Sequence, residues 1–298
     1  MSPNTPASVH QRLLNYAKAQ GRPFNEVLQY YGLQRFLYRL GQSRSRERFI
    51  LKGALMLVAW QSPVTRPTRD IDLLGRLDST PEAIVAAMQE ICDQPVPEDG
   101  LHFDAESVRG ERITEGASNS GIRARFVAYL GRARIPIQVD IGFGDPIVPG
   151  PAWVRLPTPL DIPPAELWGY SRESAIAEKA QAMVLLGEIN SRLKDFYDIW
   201  LLSSLYEFDG TTFSQALQAT FAQRGIKITL PIVALEAPFA NPAHEAQWHA
   251  FLHRNRLAAP ETLRETIQTI SLFLYPPLHA LAEGREYAQH WAPGGPWQ

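Results

Sequence analysis

The chain is poor in cysteine: Cys92 is the only one in 298 residues, so no internal disulfide can form and a reducing compartment fits. It has no apolar run approaching the roughly 20 residues of a membrane span. Its first stretch, MSPNTPASVHQRLLNYAKAQG, lacks the apolar core of a signal peptide. It also lacks an excess of basic charge. The net charge of -2 gives no global field toward nucleic acid, although a local patch stays open. There is no Walker A loop, no G-x-G-x-x-G, no internal repeat and no low-complexity tract. These absences leave an ordinary globular chain, expected in the cytoplasm and made of one or two domains. Lysine is scarce too. Only Lys18, Lys52, Lys179, Lys194 and Lys227 stand against a background of arginine, so each retained lysine is informative.

The stretch from Phe49 to Leu74 organises what is there. Phe49-Ile50-Leu51 reads as a short buried strand, Gly53 as a turn, and Ala54 to Trp60 as a helix. A helix start behind a glycine turn offers free N–H groups to an anion. An Arg- and Pro-rich connection with Arg66 and Arg69 leads to Asp70 and Asp72. At i and i+2 on a strand, these carboxylates share one face. An isolated D-x-D is more often a solvated turn. Beside an anion site, however, such a pair suits a divalent cation carrying a nucleotide.

Ser8 to Gln20 reads as a helix capped by Ser8, and Phe24 to Leu40 as a second helix with a break at Gly32. A third starts at Thr80-Pro81. From Pro95 to Ser120 the signal is mixed. Ile122 to Leu130 and Arg134 to Phe143 read as strands joined by a hairpin at Gly131-Arg132-Ala133. Asp140 lies on the second of these, opposite its apolar face, and supplies a third carboxylate. Three carboxylates on neighbouring strands would repel one another without a cation, and oxygen ligands favour Mg²⁺ or Mn²⁺. Asp145 to Pro164 reads as an extended, proline-rich crossing, and hence as the domain boundary. Helices are expected over 173–186, 192–205, 213–223, 245–254 and 260–282, with Pro276-Pro277 interrupting the last and a loose tail after Ala292.

The helical part carries a second charged set. Arg192, Lys194, Asp195 and Asp198 lie on one helix, and Asp195 and Asp198 at i and i+3 can face one place. Lys179 lies on the preceding helix with Glu178. Most such runs are solvated faces. Here Phe196, Ile199 and Trp200 mark the helix as packed, so a lysine that holds phosphate and an aspartate that orients it or acts as base become candidates.

Three blocks resemble the AbiEii/AbiGii-type nucleotidyltransferase toxins of type IV toxin–antitoxin systems (MenT-like). They are Phe49-Ile50-Leu51-Lys52-Gly53-Ala54-Leu55 with Arg66, Thr68 and Asp70-Ile71-Asp72-Leu73; Val139 to Asp145; and Glu178-Lys179 with Arg192-Leu193-Lys194-Asp195-Phe196-Tyr197-Asp198. The resemblance implies an α+β fold, with a polymerase-beta-like nucleotidyltransferase core followed by a helical C-terminal region. The domain reading is 1–45 for the N-terminal helices, 46–150 for the core and 165–298 for the helical region. It implies Asp70, Asp72, Lys179 and Asp195 as catalytic, with Asp195 favoured over Asp198. Asp70 and Asp72, with Asp140, would be the metal ligands. Lys52, Gly53, Arg66, Arg69, Arg192, Lys194 and Asp198 would line the nucleotide. The expected activity is NTP-dependent nucleotide transfer to RNA, with a tRNA 3′ end as acceptor. The expected partner is an antitoxin encoded nearby that forms no tight complex. Modification of a protein or small molecule, and nucleotide binding without turnover, are the alternatives. One departure stands out. Family members often carry Gly-Gly-Thr/Ser where this chain has Gly53-Ala54-Leu55, so a hydroxyl contact to phosphate is missing.

Overall fold

The computed structural model describes residues 4–62, 68–115 and 119–298. A hydroxyl followed by proline starts the first helix. α1 spans Pro6–Ala19, and its cap is Thr5, whose side chain accepts from the Ser8 N–H at 3.4 Å. The cap expected at Ser8 is displaced because Pro6, with no N–H to satisfy, suits the first turn. α2 spans Phe24–Gln42 without the break expected at Gly32. A Cβ there would stand 2.9 Å from Ile135 Cγ2, so the glycine serves close packing of helix on sheet.

β1 (Phe49–Lys52), α3 (Ala54–Ala59), β2 (Ile71–Gly75) and α4 (Pro81–Cys92) follow the sequence reading. β3 (Leu101–Glu115) fills the stretch that reads as mixed. It is an edge strand rich in charge, and a register shift between Asp104 and Arg109 breaks its alternation. β4 (Asn119–Leu130) and β5 (Ala133–Phe143) form the expected hairpin, with Leu130 opposite Ala133. The proline-rich stretch is more than a crossing: it contains β6 (Ala152–Leu156), and β7 (Ala165–Gly169) follows directly.

Among the described residues these seven strands form one mixed sheet in the order β3-β4-β5-β2-β1-β7-β6. β2 is parallel to β5 and β1 to β7; the other neighbours are antiparallel. α2 packs on β5 and β7, α4 on β3 and β4. Leu33, Phe36, Leu37 and Leu40 of α2 are buried against Phe126, Ile135, Ile137 and the rest of the apolar sheet face. Beside them Asp99 is buried between two arginines of α2. Arg35 Nε donates to it at 2.9 Å, and Arg39 donates to both its oxygens at 2.7 and 3.1 Å.

By its internal packing the chain divides into two units. One is Met1–Gly144 with Ala152–Gly169, and the other is Asp145–Pro151 with Tyr170–Gln298. The second holds α5 (Arg172–Leu186), α6 (Leu193–Leu205), β8 (Phe208–Asp209), α7 (Gly210–Gln223), α8 (Pro242–Asn255), α9 (Leu263–Ala282) and β9 (His290–Trp291). The segment 145–151 is tied in by Arg224 to Asp145 at 2.8 Å and by the Val148 N–H to Ser174 Oγ at 2.8 Å.

α9 runs straight through Pro276 and Pro277, against expectation. Pro277 leaves the Phe273 carbonyl without its helical donor, and Trp297 Nε1 donates to that oxygen at 2.9 Å. The tail is not loose. Trp297 stacks on Phe273, and His290 exchanges backbone hydrogen bonds with Gln298. No helix among the described residues is long and apolar enough to cross a membrane. The resulting fold is α+β, a mixed sheet with flanking helices and then a helical region, as the resemblance implies.

Burial alone would raise the Asp99 carboxyl, but the hydrogen bonds and charges of Arg39 and Arg35 outweigh it and hold it below its usual value. Such a group stabilises the fold above its unfolded pKa of about 3.9, and that contribution fades as pH falls through the folded value. Asp99→Asn should therefore cost about 3–5 kcal/mol in denaturant unfolding at neutral pH. The gap from wild type should narrow as the pH is lowered past about 3.9.

Candidate functional site

β1 ends at Gly53, where φ is 71° and ψ is -152°, a region open in practice to glycine alone. The position has a second constraint. A Cβ on residue 53 would overlap the carboxylate of Asp72. The turn and the aspartate are thus fitted to each other, and α3 starts directly behind them. Asp70 stands just ahead of β2, and its Oδ1 accepts from Thr68 Oγ1 at 2.7 Å. Arg69, directly before Asp70, is exposed. Arg66 lies outside the described residues.

The register then lays a row of charge across five strands. Lys52 of β1 is opposite Asp72 of β2, Asp72 is opposite Asp140 of β5, Asp140 is opposite Arg123 of β4, and Arg123 is opposite Glu111 of β3. Cross-strand partners share a face and stand about 5 Å apart. Arg123 grips Asp140 at both oxygens, Nε to Oδ1 and Nη2 to Oδ2, each at 2.7 Å. Gln138 Nε2 donates to the same Oδ2 at 3.3 Å. Asp140 is buried. Its hydrogen bonds raise the pKa of Arg123, to which the charges of Asp140, Glu111 and Asp70 also contribute. Sequence reasoning passed over Arg123. The two-residue turn at Gly131-Arg132 contained the signal, because counting back along the hairpin places Arg123 opposite Asp140.

Oxygen donors at Asp70 and Asp72 fit a hard divalent cation, which commonly takes one or two carboxylates and completes its shell with water and substrate phosphate. Among the described residues, no three of His, Cys, Asp and Glu are grouped so as to hold a metal ion.

The other charged set belongs to the helical unit. Asn190 Oδ1 accepts from the Arg192 N–H at 2.9 Å and turns the chain into α6. Asp195, in the first turn of α6, faces Lys179 of α5. Lys179 Nζ stands 3.4 Å from Asp195 Oδ1 and 3.0 Å from Asp198 Oδ2. Arg192 Nε is 2.7 Å from Asp195 Oδ2, without the alignment of a hydrogen bond. The side chains of Asp195 and Asp198 are 0% and 2% exposed, so both carboxylates are enclosed and paired. Glu178 accepts from Tyr170 Oη at 3.0 Å. Lys194 is exposed, and none of the contacts in this cluster is its own. Each set lies within its own unit: Lys52, Gly53, Asp70, Asp72 and Asp140 in the first, Lys179, Arg192, Lys194, Asp195 and Asp198 in the second.

Comparison with known proteins defines the class first: the chain is a nucleotidyltransferase. More particularly, residues 35–271 match the family described as nucleotidyl transferase AbiEii toxin, type IV TA system, and the chain belongs to that family. Membership implies an NTP as substrate and an antitoxin as partner. No curated protein matches. Among solved structures, MenT4, a nucleotidyltransferase toxin of Mycobacterium tuberculosis H37Rv, is similar with TM-score 0.49 and 17% identity, over 95% of this chain and 99% of that one. A Helicobacter pylori protein assigned as a nucleotidyltransferase gives 0.46 and 13%, over 88% and 98%. JHP933 of Helicobacter pylori gives 0.42 and 15%, over 84% and 93%. It is the family match that identifies the activity.

Gly53→Ala should cost about 1–3 kcal/mol from backbone strain alone, seen as a lowered unfolding midpoint, and should displace Asp72. Lys179→Ala should cost about 3–5 kcal/mol, because it strips a partner from two enclosed carboxylates. Lys179→Ala combined with Asp195→Asn should recover part of that loss, a non-additivity that denaturant unfolding of the double-mutant cycle reads directly.

Proposed function

We propose that this chain acts in the cytoplasm and transfers a nucleoside monophosphate from an NTP to an RNA hydroxyl, with the 3′ end of a tRNA as acceptor. The observation that carries the reading is the fit of Asp72 over the Gly53 turn, with Asp70 beside it and Lys52 opposite it across the strands. Asp70 and Asp72 would hold Mg²⁺ or Mn²⁺. Bound there, the cation supplies neutralising charge on the triphosphate. The N–H groups behind Gly53, the Lys52 ammonium and Arg69 would meet the phosphates, so that backbone donors and charge replace the missing hydroxyl of Ala54-Leu55; Arg66 is expected to join them. Within the helical unit, Lys179 pairs with Asp195 and Asp198 and Arg192 stands beside Asp195, which suits Lys179 to the role of a nucleotide-binding or catalytic lysine. In the transfer the acceptor oxygen bonds to the α-phosphorus and gives up its proton to solvent water, the bond from the α-phosphorus to the β-phosphate oxygen breaks, and pyrophosphate leaves. Control by the antitoxin, encoded nearby, acts without a tight complex between the two proteins.

The test is incubation with each α-labelled NTP, Mg²⁺ and total tRNA. Label should enter RNA from at least one NTP, and Asp72→Ala should lower the rate about a thousandfold, or ~4 kcal/mol. Failure of every NTP to label RNA, or equal labelling by Asp72→Ala, overturns the reading.

A further inference from the structure

Polymerase-like chemistry is usually discussed with two cations and a full set of acidic ligands. The arrangement in this sheet points elsewhere. Asp140 comes from the strand beside Asp72 and shares its register, which is the place for a carboxylate that would close a second cation site. Yet Arg123 already occupies both of its oxygens at 2.7 Å, with the planar, forked geometry that matches a carboxylate best. Gln138 takes a further position on Oδ2. The pair is largely enclosed, with Asp140 at 8% side-chain exposure and Arg123 at 28%. Prising the guanidinium away would leave a buried carboxylate without its partner, which is strongly unfavourable. A divalent ion gains little from a carboxylate that is already neutralised. The guanidinium itself supplies positive charge next to the carboxylate row, and the charge of Asp70 reaches it as well.

We propose that Arg123 takes the place of a second cation, so that the centre binds a single divalent ion through Asp70 and Asp72, and Asp140 is the anchor of Arg123 rather than a metal ligand. Arg123 is thus a positioning residue that fixes the number of ions the sheet can hold. This rests on the proposed metal role of Asp70 and Asp72.

The experiment is Mn²⁺ titration of the full chain, with bound and free ion distinguished by electron paramagnetic resonance and no turnover required. Wild type should bind one Mn²⁺. Arg123→Gln frees Asp140 and should tighten Mn²⁺ about tenfold or add a second site, shown by broadening from spin coupling between ions about 4 Å apart. Arg123→Gln with Asp140→Asn restores charge balance through a neutral, hydrogen-bonding pair, and should return to one site of wild-type affinity within about threefold. A structural role for Arg123 would not make metal binding stronger when the residue is lost. Two ions on wild type, no gain in Arg123→Gln, or a loss of tenfold or more in the double variant each overturn the inference. If Arg123→Gln does not fold, the double variant still decides the matter, since Asp140 as a ligand would make it lose Mn²⁺. Absence of any bound Mn²⁺ on wild type, or binding that survives Asp72→Asn, brings down the underlying metal reading and this inference with it.

Discussion

Asp72 and the backbone at residue 53 compete for the same volume. Only glycine leaves room, and only glycine readily adopts the turn found there. That one steric fit ties the end of β1 to the middle of β2 and sets the start of α3. It also fixes where the first carboxylate of the centre stands. The rest of the sheet extends the arrangement by register alone: once Asp72 is placed, Lys52 and Asp140 must flank it, and Arg123 must lie beyond Asp140. Adjacent like charges on parallel strands are unfavourable. The row tolerates Asp72 beside Asp140 because a cationic side chain stands on each side of the pair.

The helical unit solves a related problem differently. Two aspartates one helical turn apart are enclosed, and a lysine from the neighbouring helix answers both. In a chain that otherwise favours arginine, lysine at position 179 offers a compact ammonium that reaches two carboxylates at once, where a planar guanidinium would pair bidentately with one. Enclosure and pairing remove the flexibility of all three side chains.

Much of this was readable before any fold was known. Phe49 to Lys52, the Gly53 turn, the Asp70/Asp72 spacing and the hairpin at Gly131-Arg132 carry strong local signals, and the structure contains each of them. What stayed hidden was non-local. The period of β3 is broken by its register shift, and β6 and β7, inside and just after the proline-rich stretch, make sense only once β7 pairs with β1 and β6 with β7. Gly32 looked like a break because a glycine in a helix pattern announces flexibility, while its reason, Ile135, lies over a hundred residues away. Pro276 and Pro277 looked like a stop because the partner for the orphaned carbonyl of Phe273 is Trp297, in the tail. Arg123 was one of many arginines until the hairpin register gave it Asp140. The three-carboxylate expectation counted acidic residues and took no account of Arg123, which grips Asp140 at both oxygens.

The order in which the strands are made bears on how this chain comes into being on the ribosome. β1 is synthesised early, but its parallel neighbour β7 ends only at Gly169, and between them the chain leaves for seven residues that belong to the other unit. Until that return is complete, one side of β1 is an open edge, able to template pairing with other chains. Connections of this length also make for slow closure. The strand that carries Lys52 is therefore finished late, so a nascent or truncated chain holding every carboxylate of the row still lacks a finished sheet. Synthesis itself delays the appearance of a competent toxin until most of its length has emerged.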